Sequence, residues 1–198
     1  MIWGIGTGRC GTHSLAADLG GLHEPRPWIG AAAVEAYWGD ATATAYCREV
    51  LLLRLAQDIP AVVDLHLSLL IPLICALDAQ ATFVWMWREP VGCVGSFLAQ
   101  GAWTTPGKWP TLWRPRYGWP ESFSRFDRAL AYWVMVNEMI AEDLARYAPG
   151  RWQRREPTDL RHHHGRGPQK AAWPFTADET QRLVQAEAEF HQKWGGAR

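Results

Sequence analysis

The sequence predicts an α/β protein of three layers, with helices on both faces of a mostly parallel sheet. Short apolar runs alternate with helix-forming segments along most of the 198-residue chain, as in proteins whose parallel strands are joined by helices. The run 82–87 is almost wholly apolar, which is typical of a strand buried on both faces. A single domain spanning 1–198 is expected, because a chain of this length can bury one substantial core.

Four strands are expected from the apolar runs. Residues 2–6, 61–64 and 81–87 are bounded by turn residues, and 151–155 is a candidate for a last short strand. Because open α/β sheets bind ligands at the carboxyl ends of their strands, residues that directly follow these runs are candidates for one shared site.

Six helices are predicted between and after the strands. They span about 12–20, 42–57 (with a start as early as Ala31 left open), 67–78, 90–100, 122–147 and 176–193. Apolar residues recur at helical spacing through 122–147, and Ser122 is its predicted cap. Thr176 and Glu179 have the spacing of a capping box at the start of the last helix.

Three segments are expected to be loops. Residues 23–31 are rich in proline and glycine, and residues 161–173 are polar, basic and expected to be mobile. Residues 101–121 combine turn residues with tryptophans, and connections of this length are usually functional. We interpret 101–121 as a lid over a binding site; a plain surface insertion is the alternative.

Composition excludes several classes of function. Lys+Arg and Asp+Glu both number 20, so neither a nucleic-acid surface nor a polybasic membrane contact is indicated. The longest apolar stretch, residues 65–77, is too short to span a bilayer. The four cysteines lack metal or disulfide spacing and no signal peptide is evident, which predicts a cytoplasmic protein.

The histidine tract and the tryptophans are less decisive. Three consecutive histidines, His162 to His164, cannot all face one ion without an unusual backbone, so a solvated loop is preferred and no metal is expected. The 13 tryptophans suit either a compact core or a ligand surface, and the sequence does not decide between them.

Residues 6–14, Gly-Thr-Gly-Arg-Cys-Gly-Thr-His-Ser, follow the first strand and precede a helix. Glycines let the main-chain N–H groups turn inward, and a helix N-terminus adds partial positive charge, so the segment predicts an anion cradle. It differs from the G-x-x-x-x-G-K-[ST] nucleotide loop, because Thr12 and His13 stand where lysine and serine would be. Its cation is Arg9, and a glycine-rich turn without a ligand is the alternative.

A second candidate phosphate site follows the run 82–87. Arg88 comes at the end of the predicted strand, Pro90 can start the next helix, and Ser96 lies in that helix. An arginine in this place points into the crevice of an open α/β sheet.

The two segments together resemble the sulfotransferases that use 3′-phosphoadenosine 5′-phosphosulfate (PAPS) as donor. Arg9-Cys10-Gly11-Thr12-His13 is similar to the family's [K/R]-S-G-T-[T/S] loop for the 5′-phosphosulfate. Arg88-Glu89-Pro90, with a serine eight residues after the arginine, matches the R-[DNE]-P site for the 3′-phosphate. Cys10 and His13 depart from the loop motif, and the late R-K-G segment has only Gly165-Arg166-Gly167 as a weak counterpart.

Weaker likenesses extend over most of the chain. His66 stands 22 residues before Arg88, as does the histidine of the family's K-T-H-L-P-L stretch, but Asp64 replaces the lysine. Segments 132–137, 155–160 and 174–194 are similar to the family's W-x-x-x-N helix, Y-E-D-L strand end and terminal helix.

The resemblance implies a P-loop NTPase-like sulfotransferase fold and a sulfuryl transfer from PAPS to a hydroxyl or amine of a small acceptor, without a metal. The implied donor-binding residues are Gly8, Arg9, Cys10, Gly11, Thr12, His13, Ser14, Arg88, Ser96 and Arg166. Arg9 would also stabilise the charge that develops on the leaving 5′-phosphate. The expected lid, 101–121, would then cover the acceptor. The acceptor class (aromatic, lipid-like or carbohydrate) and the oligomeric state stay open.

The base that takes the acceptor's proton has three candidates. His66 is the first choice, because its ordinary pKa suits proton transfer near neutrality and it matches the family's histidine. Asp64 is the second candidate or the residue that orients His66, and His13 in the loop is the third. An ordinary partly buried histidine is the alternative for His66.

Two other functions are compatible with the sequence. A family member without catalytic activity would bind the nucleotide or a partner, as the short chain, Cys10 and His13 suggest. A diverged P-loop kinase is the other, although the missing Lys-[ST] pair argues against Mg²⁺-dependent ATP binding.

Overall fold

The computed structural model describes residues 1–104, 119–161 and 173–195, and within them it confirms the α/β class. Five strands form one sheet in the order β2-β3-β1-β4-β5, and every neighbouring pair is parallel. Their bounds are Ile2–Gly6 (β1), Leu22–His23 (β2), Ala61–Val63 (β3), Thr82–Met86 (β4) and Trp152–Arg155 (β5).

Seven helices of the described ranges surround this sheet. They are Thr12–Asp18 (α1), Gly30–Tyr37 (α2), Ala41–Leu55 (α3), Ile71–Leu77 (α4), Pro90–Ala99 (α5), Arg125–Tyr147 (α6) and Ala177–Trp194 (α7), with short 3-10 turns at Leu65–Leu69 and Pro157–Asp159. None of the described helices is long and apolar enough to cross a membrane.

The two faces of the sheet bury very different amounts of apolar surface. On one face, Trp3 and Trp85 belong to a large core that includes residues of α2 to α7. On the other face, Val84 and Met86 pack with Leu15 of α1 in a much smaller cluster. Successive side chains of a strand point to opposite faces, so a single strand such as β4 contributes to both clusters. Helices cover both faces of the sheet; of the described helices, α1 contributes to the smaller cluster.

The expected helices and strands are largely present, with local differences. The N-cap of α6 is Ser124, which forms a capping box with Asp127, so the prediction of Ser122 is wrong by half a turn. The helix expected over 42–57 is preceded by a separate helix, α2, because Asp40 caps α3 by accepting from the Ala43 N–H at 2.7 Å. The predicted capping box of Thr176 and Glu179 is confirmed.

The order of the strands places a crevice beside β1. The chain leaves β1 towards β2 on one side of the sheet, whereas the connection from β4 leads to β5 on the other side. The carboxyl ends of β1 and β4 are therefore adjacent and carry loops that diverge, which is the position where open parallel sheets bind ligands. Residues 105–118 of the expected lid and residues 162–172 of the expected mobile loop, with Arg166 and His162 to His164, lie outside the described residues.

Candidate functional site

A cleft of about 400 Å³ opens at the carboxyl ends of β1 and β4. It brings together most of the predicted phosphate-binding residues. Its lining comprises Gly8, Arg9, Gly11, Thr12, His13, Ser14, His23, Glu24, Leu65 and Arg88. The glycine-rich loop and the arginine after β4, predicted as two separate anion sites, thus line one cleft.

The loop after β1 owes its shape to successive left-handed residues. Gly8, Arg9 and Gly11 have φ values of 77°, 57° and 99°, and Gly11 is the N-cap of α1. Glycine adopts such angles without steric strain, whereas arginine does so at a cost. The backbone thereby reverses direction within a few residues and brings the N-terminus of α1 to the cleft.

Two side chains from other elements hold the base of this loop. The Ser68 hydroxyl donates to the Gly6 carbonyl and accepts from the Gly6 N–H, both at 3.0 Å. The buried Tyr132 hydroxyl of α6 donates to the Thr7 carbonyl at 2.7 Å. Because these partners are buried, the loop starts from a fixed position.

The side chain of Arg88 contacts the main chain of Arg9. Arg88 Nη1 donates to the carbonyl oxygen of Arg9 at 3.1 Å. The Arg9 side chain runs towards α5, where Nε donates to the Ser96 hydroxyl at 3.2 Å and the Gln100 amide oxygen accepts from the same guanidinium. Ser96 was expected beside Arg88, but its hydroxyl contacts Arg9.

The first residues of α1 meet a histidine that the sequence analysis left in a loop. The Thr12 hydroxyl and His23 Nε2 are hydrogen-bonded at 3.1 Å. The rings of His13 and His23 lie 4.1 Å apart between centroids. Thr12, His13, Ser14 and His23 therefore form one wall of the cleft.

Cys10 does not line the cleft, in contrast to its neighbours in the loop. Its side chain is fully buried beneath the loop, and burial raises the pKa of its thiol. The nearby Cys93 is also buried, which raises the pKa of that thiol to about 12. Both groups are therefore neutral at physiological pH, and only the main chain of Cys10 is available to a ligand.

Asp64 and His66 form a buried pair below the cleft. The Asp64 carboxylate accepts through Oδ1 from the His66 main-chain N–H at 2.9 Å and from its ring Nδ1–H at 2.8 Å. With Nδ1–H bonded to Asp64, Nε2 is the ring nitrogen that can accept a proton, as a general base requires. The His66 side chain is only 2% exposed, and neither residue lines the cleft, although the adjacent Leu65 does.

Trp28, in the loop before α2, lies between the His66 ring and solvent. The two rings meet edge to face, with centroids 5.6 Å apart. The Trp28 residue is itself 53% exposed. Within the described part of the chain, His66 Nε2 has no hydrogen-bond partner.

Sequence reasoning missed Glu24, a carboxylate that does line the cleft. Glu24 follows the two-residue β2 and donates its N–H to the Val63 carbonyl at 2.9 Å. Its φ of 45° is left-handed, which is uncommon for a residue other than glycine and frequent at functional sites. The signal in the sequence was a lone His-Glu pair at the start of a proline-rich segment, too short to be read as the end of a strand.

A buried cation, Arg54, was also missed by the sequence analysis. Burial lowers the pKa of its guanidinium, and the negative charge of Asp64 opposes that shift. Nothing in the amphipathic pattern of α3 distinguishes this arginine from the exposed Arg48 one helical face away.

No metal site accompanies these residues in the parts of the chain that the structure describes. There, no group of three or more His, Cys, Asp or Glu side chains is arranged to hold an ion. Comparisons of the chain with known protein families, curated proteins and solved structures found no match. Function therefore has to be inferred from the chemistry of the cleft.

Proposed function

We propose that the protein is a sulfotransferase that uses PAPS as donor and acts on a hydroxyl or amine of a small acceptor. The observation that carries this proposal is the single cleft shared by the glycine-rich loop and Arg88, with Arg88 bonded to the Arg9 carbonyl. One bis-phosphorylated nucleotide needs two anion sites within the length of one molecule, and these two segments satisfy that need.

The loop is suited to the 5′-phosphosulfate end of the donor. Main-chain N–H groups at the start of α1, together with the Thr12 and Ser14 hydroxyls, are donors that a phosphate can accept from. The start of a helix also favours the negative charge that grows on the leaving 5′-phosphate during transfer.

Arg88 is suited to the 3′-phosphate. It reaches the cleft from the end of β4, whereas Arg9 belongs to the loop proposed for the 5′-phosphosulfate and links that loop to Ser96 on α5. Guanidinium groups bind phosphate through paired hydrogen bonds, which makes them better suited than lysine to recognise its shape. In the proposed complex, the Arg88 guanidinium distinguishes PAPS from ATP.

The transfer itself asks little covalent chemistry of the protein. The acceptor oxygen or nitrogen forms a bond to sulfur, the bond from sulfur to the 5′-phosphate oxygen breaks, and the acceptor's proton passes to a base. By analogy with phosphoryl transfer, positioning and charge stabilisation supply most of the rate. His66 remains the first proposed base, and Asp64 orients it through Nδ1.

Glu24 is a competing base that geometry introduces. It lines the cleft and its side chain is 35% exposed, whereas His66 is buried below Trp28. Single variants decide between them: His66→Ala lowers turnover if the histidine is the base, and Glu24→Gln does so if the carboxylate is. The variant of the true base should keep nearly the wild-type affinity for the donor product.

The donor proposal is tested by isothermal titration with 3′-phosphoadenosine 5′-phosphate (PAP), compared with ADP and with adenosine 5′-phosphate. We expect PAP to bind more tightly than adenosine 5′-phosphate by about 10- to 100-fold, as for one charge-assisted hydrogen bond. Preference for ADP in the presence of Mg²⁺ would instead favour a kinase.

A second candidate function is binding of the nucleotide without transfer. The burial of His66 and the absence of a partner for its Nε2 among the described residues favour it. Tight binding of PAP, with no release of PAP from PAPS for any hydroxyl or amine acceptor tried, would support this candidate over the first.

A further inference from the structure

Arg54 is a buried cation to which the proposed transfer assigns no role. It lies on α3 with 2% of its surface exposed. Its Nη2 donates to the carbonyl oxygens of Pro25 at 3.1 Å and Pro27 at 2.9 Å. Burying a guanidinium is costly unless hydrogen-bond acceptors and an opposite charge compensate it.

The segment 24–28, to which Arg54 is hydrogen-bonded, carries two residues of the site. Glu24 lies at its start and lines the cleft with a left-handed backbone. Trp28 lies at its end, against the His66 ring. The Trp28 indole packs over Gly30, where an added Cβ would be 3.1 Å from Cε2, and the Trp28 carbonyl accepts from Tyr46 at 3.3 Å. A half-exposed tryptophan is thus fixed from several sides.

Arg54 also acts on Asp64 through charge. The attraction of Asp64 is the main influence that opposes the effect of burial on the guanidinium. Within the described residues, Arg54 Nε and Nη1 and Asp64 Oδ2 all lack hydrogen-bond partners. Arg54 and Asp64 are thus opposite charges buried in the same region, while Nη2 of Arg54 is bonded to the two proline carbonyls.

We propose that Arg54 is a positioning residue that holds residues 24–28 in place beside the cleft. Its hydrogen bonds to the carbonyls of Pro25 and Pro27 keep Glu24 in the cleft and Trp28 against the His66 ring. An effect of Arg54 on catalysis rests on the proposed function, in which either Glu24 or His66 is the base. The role of Arg54 in holding Glu24 and Trp28 in place does not rest on it.

Arg151 provides a matched control. Its guanidinium also bridges two main-chain carbonyls, those of Ala81 at 2.7 Å and Tyr147 at 2.6 Å. It precedes β5 and contacts the residue before β4, so it lies at the end of the sheet away from the cleft. Loss of this arginine reports the cost of removing such a bridge without disturbing the site.

The test compares Arg54→Met, Arg54→Lys and Arg151→Met in the full chain. Hydrogen–deuterium exchange is followed at the amides of residues 24–30, and exchange of the C2 proton is followed at the His66 ring. We expect Arg54→Met to accelerate both by about tenfold or more, since exchange reports local opening. Arg54→Lys should restore part of the protection, because it keeps the charge and can donate to one carbonyl.

Arg151→Met should lower the free energy of unfolding to a similar extent and leave both exchange rates unchanged. Unchanged exchange in Arg54→Met, or equal acceleration in Arg151→Met, would overturn the positioning role. Titration of PAP into the same samples tests the proposed function separately. Failure of the wild-type protein to bind PAP would refute the donor assignment and leave the exchange results to decide the role of Arg54.

Discussion

Arg88 Nη1 and the carbonyl oxygen of Arg9 are 3.1 Å apart and hydrogen-bonded, although 79 positions separate the two residues in sequence. This bond joins the end of β4 to the turn of the glycine-rich loop. A ligand that neutralises Arg88 therefore also acts on the loop's main chain. The proposed recognition of two phosphates by one cleft depends on this connection.

Substitution of Arg88 tests that connection directly. Arg88→Ala should weaken PAP binding by about 10- to 100-fold, because a charge-assisted hydrogen bond contributes about 1.5–3 kcal/mol. It should weaken adenosine 5′-phosphate binding much less, so that the preference for the 3′-phosphate disappears in isothermal titration. Arg48→Ala, at an exposed position of α3, is the control and should change neither affinity. Retained discrimination in Arg88→Ala would refute the assignment of Arg88.

A close approach of two strands makes Gly6 the most sensitive position of the loop. A Cβ there would lie 2.7 Å from both the Met86 carbonyl oxygen and Cys10 Sγ, and Met86 is fixed by its pairing with Gly6 in the sheet. Gly6→Ala should therefore lower the free energy of unfolding by about 1–3 kcal/mol and abolish PAP binding. Urea unfolding and titration measure the two effects.

Gly39→Ala is the matched control for that substitution. Gly39 has a φ of 91°, but a Cβ there would meet nothing within 4 Å. It should cost about 1 kcal/mol of stability through backbone strain alone and leave PAP binding at the wild-type level. Equal loss of binding in both variants would indicate that general destabilisation, rather than the shape of the loop, is responsible.

The parts of this fold that could be predicted from the sequence are those specified locally. The apolar run before Arg88 and the glycines after β1 identify strands, a loop and a helix start without knowledge of the rest of the chain. The capping box of Thr176 and Glu179 was found for the same reason, because both partners lie within one helical turn.

The parts that could not be predicted depend on contacts distant in sequence. The two-residue β2 is a strand because Leu22 and His23 pair with Val62 and Val63, and two residues carry no periodicity. Arg9 turns to Ser96, across 87 positions, because of a left-handed backbone that the sequence does not specify. The burial of His66 also follows from a long-range contact, the one with Trp28.

The bond from Tyr132 to the loop predicts a role for α6 in the stability of the cleft. Tyr132→Phe removes the donor to the buried Thr7 carbonyl and leaves that acceptor without it. We expect a loss of about 1–3 kcal/mol in the free energy of unfolding and faster hydrogen exchange at residues 7–11. Tyr147→Phe, near the end of the same helix, should have a smaller effect on stability and none on exchange in the loop. Equal hydrogen-exchange rates at residues 7–11 in Tyr132→Phe and Tyr147→Phe would contradict this role of Tyr132.

Asp143 on α6 gives the molecule a pH dependence away from the cleft. Partial burial, reinforced by the neighbouring Glu142 carboxylate, raises the pKa of Asp143 from 3.8 to about 6. Between these two values the folded state binds more protons than the unfolded state, so stability falls as the pH rises through this window. Asp143→Asn removes the charge and should stabilise the protein at neutral pH by about 1 kcal/mol, a value reduced by the side chain's contact with water.

The gain in stability from Asp143→Asn should vanish at about pH 4, where the wild-type carboxyl group is mostly protonated in the folded state. Urea unfolding at the two pH values measures the difference, and Asp58→Asn at an exposed position should change stability by less than about 0.5 kcal/mol at either. A gain of equal size at both pH values would contradict the assignment to Asp143 ionisation.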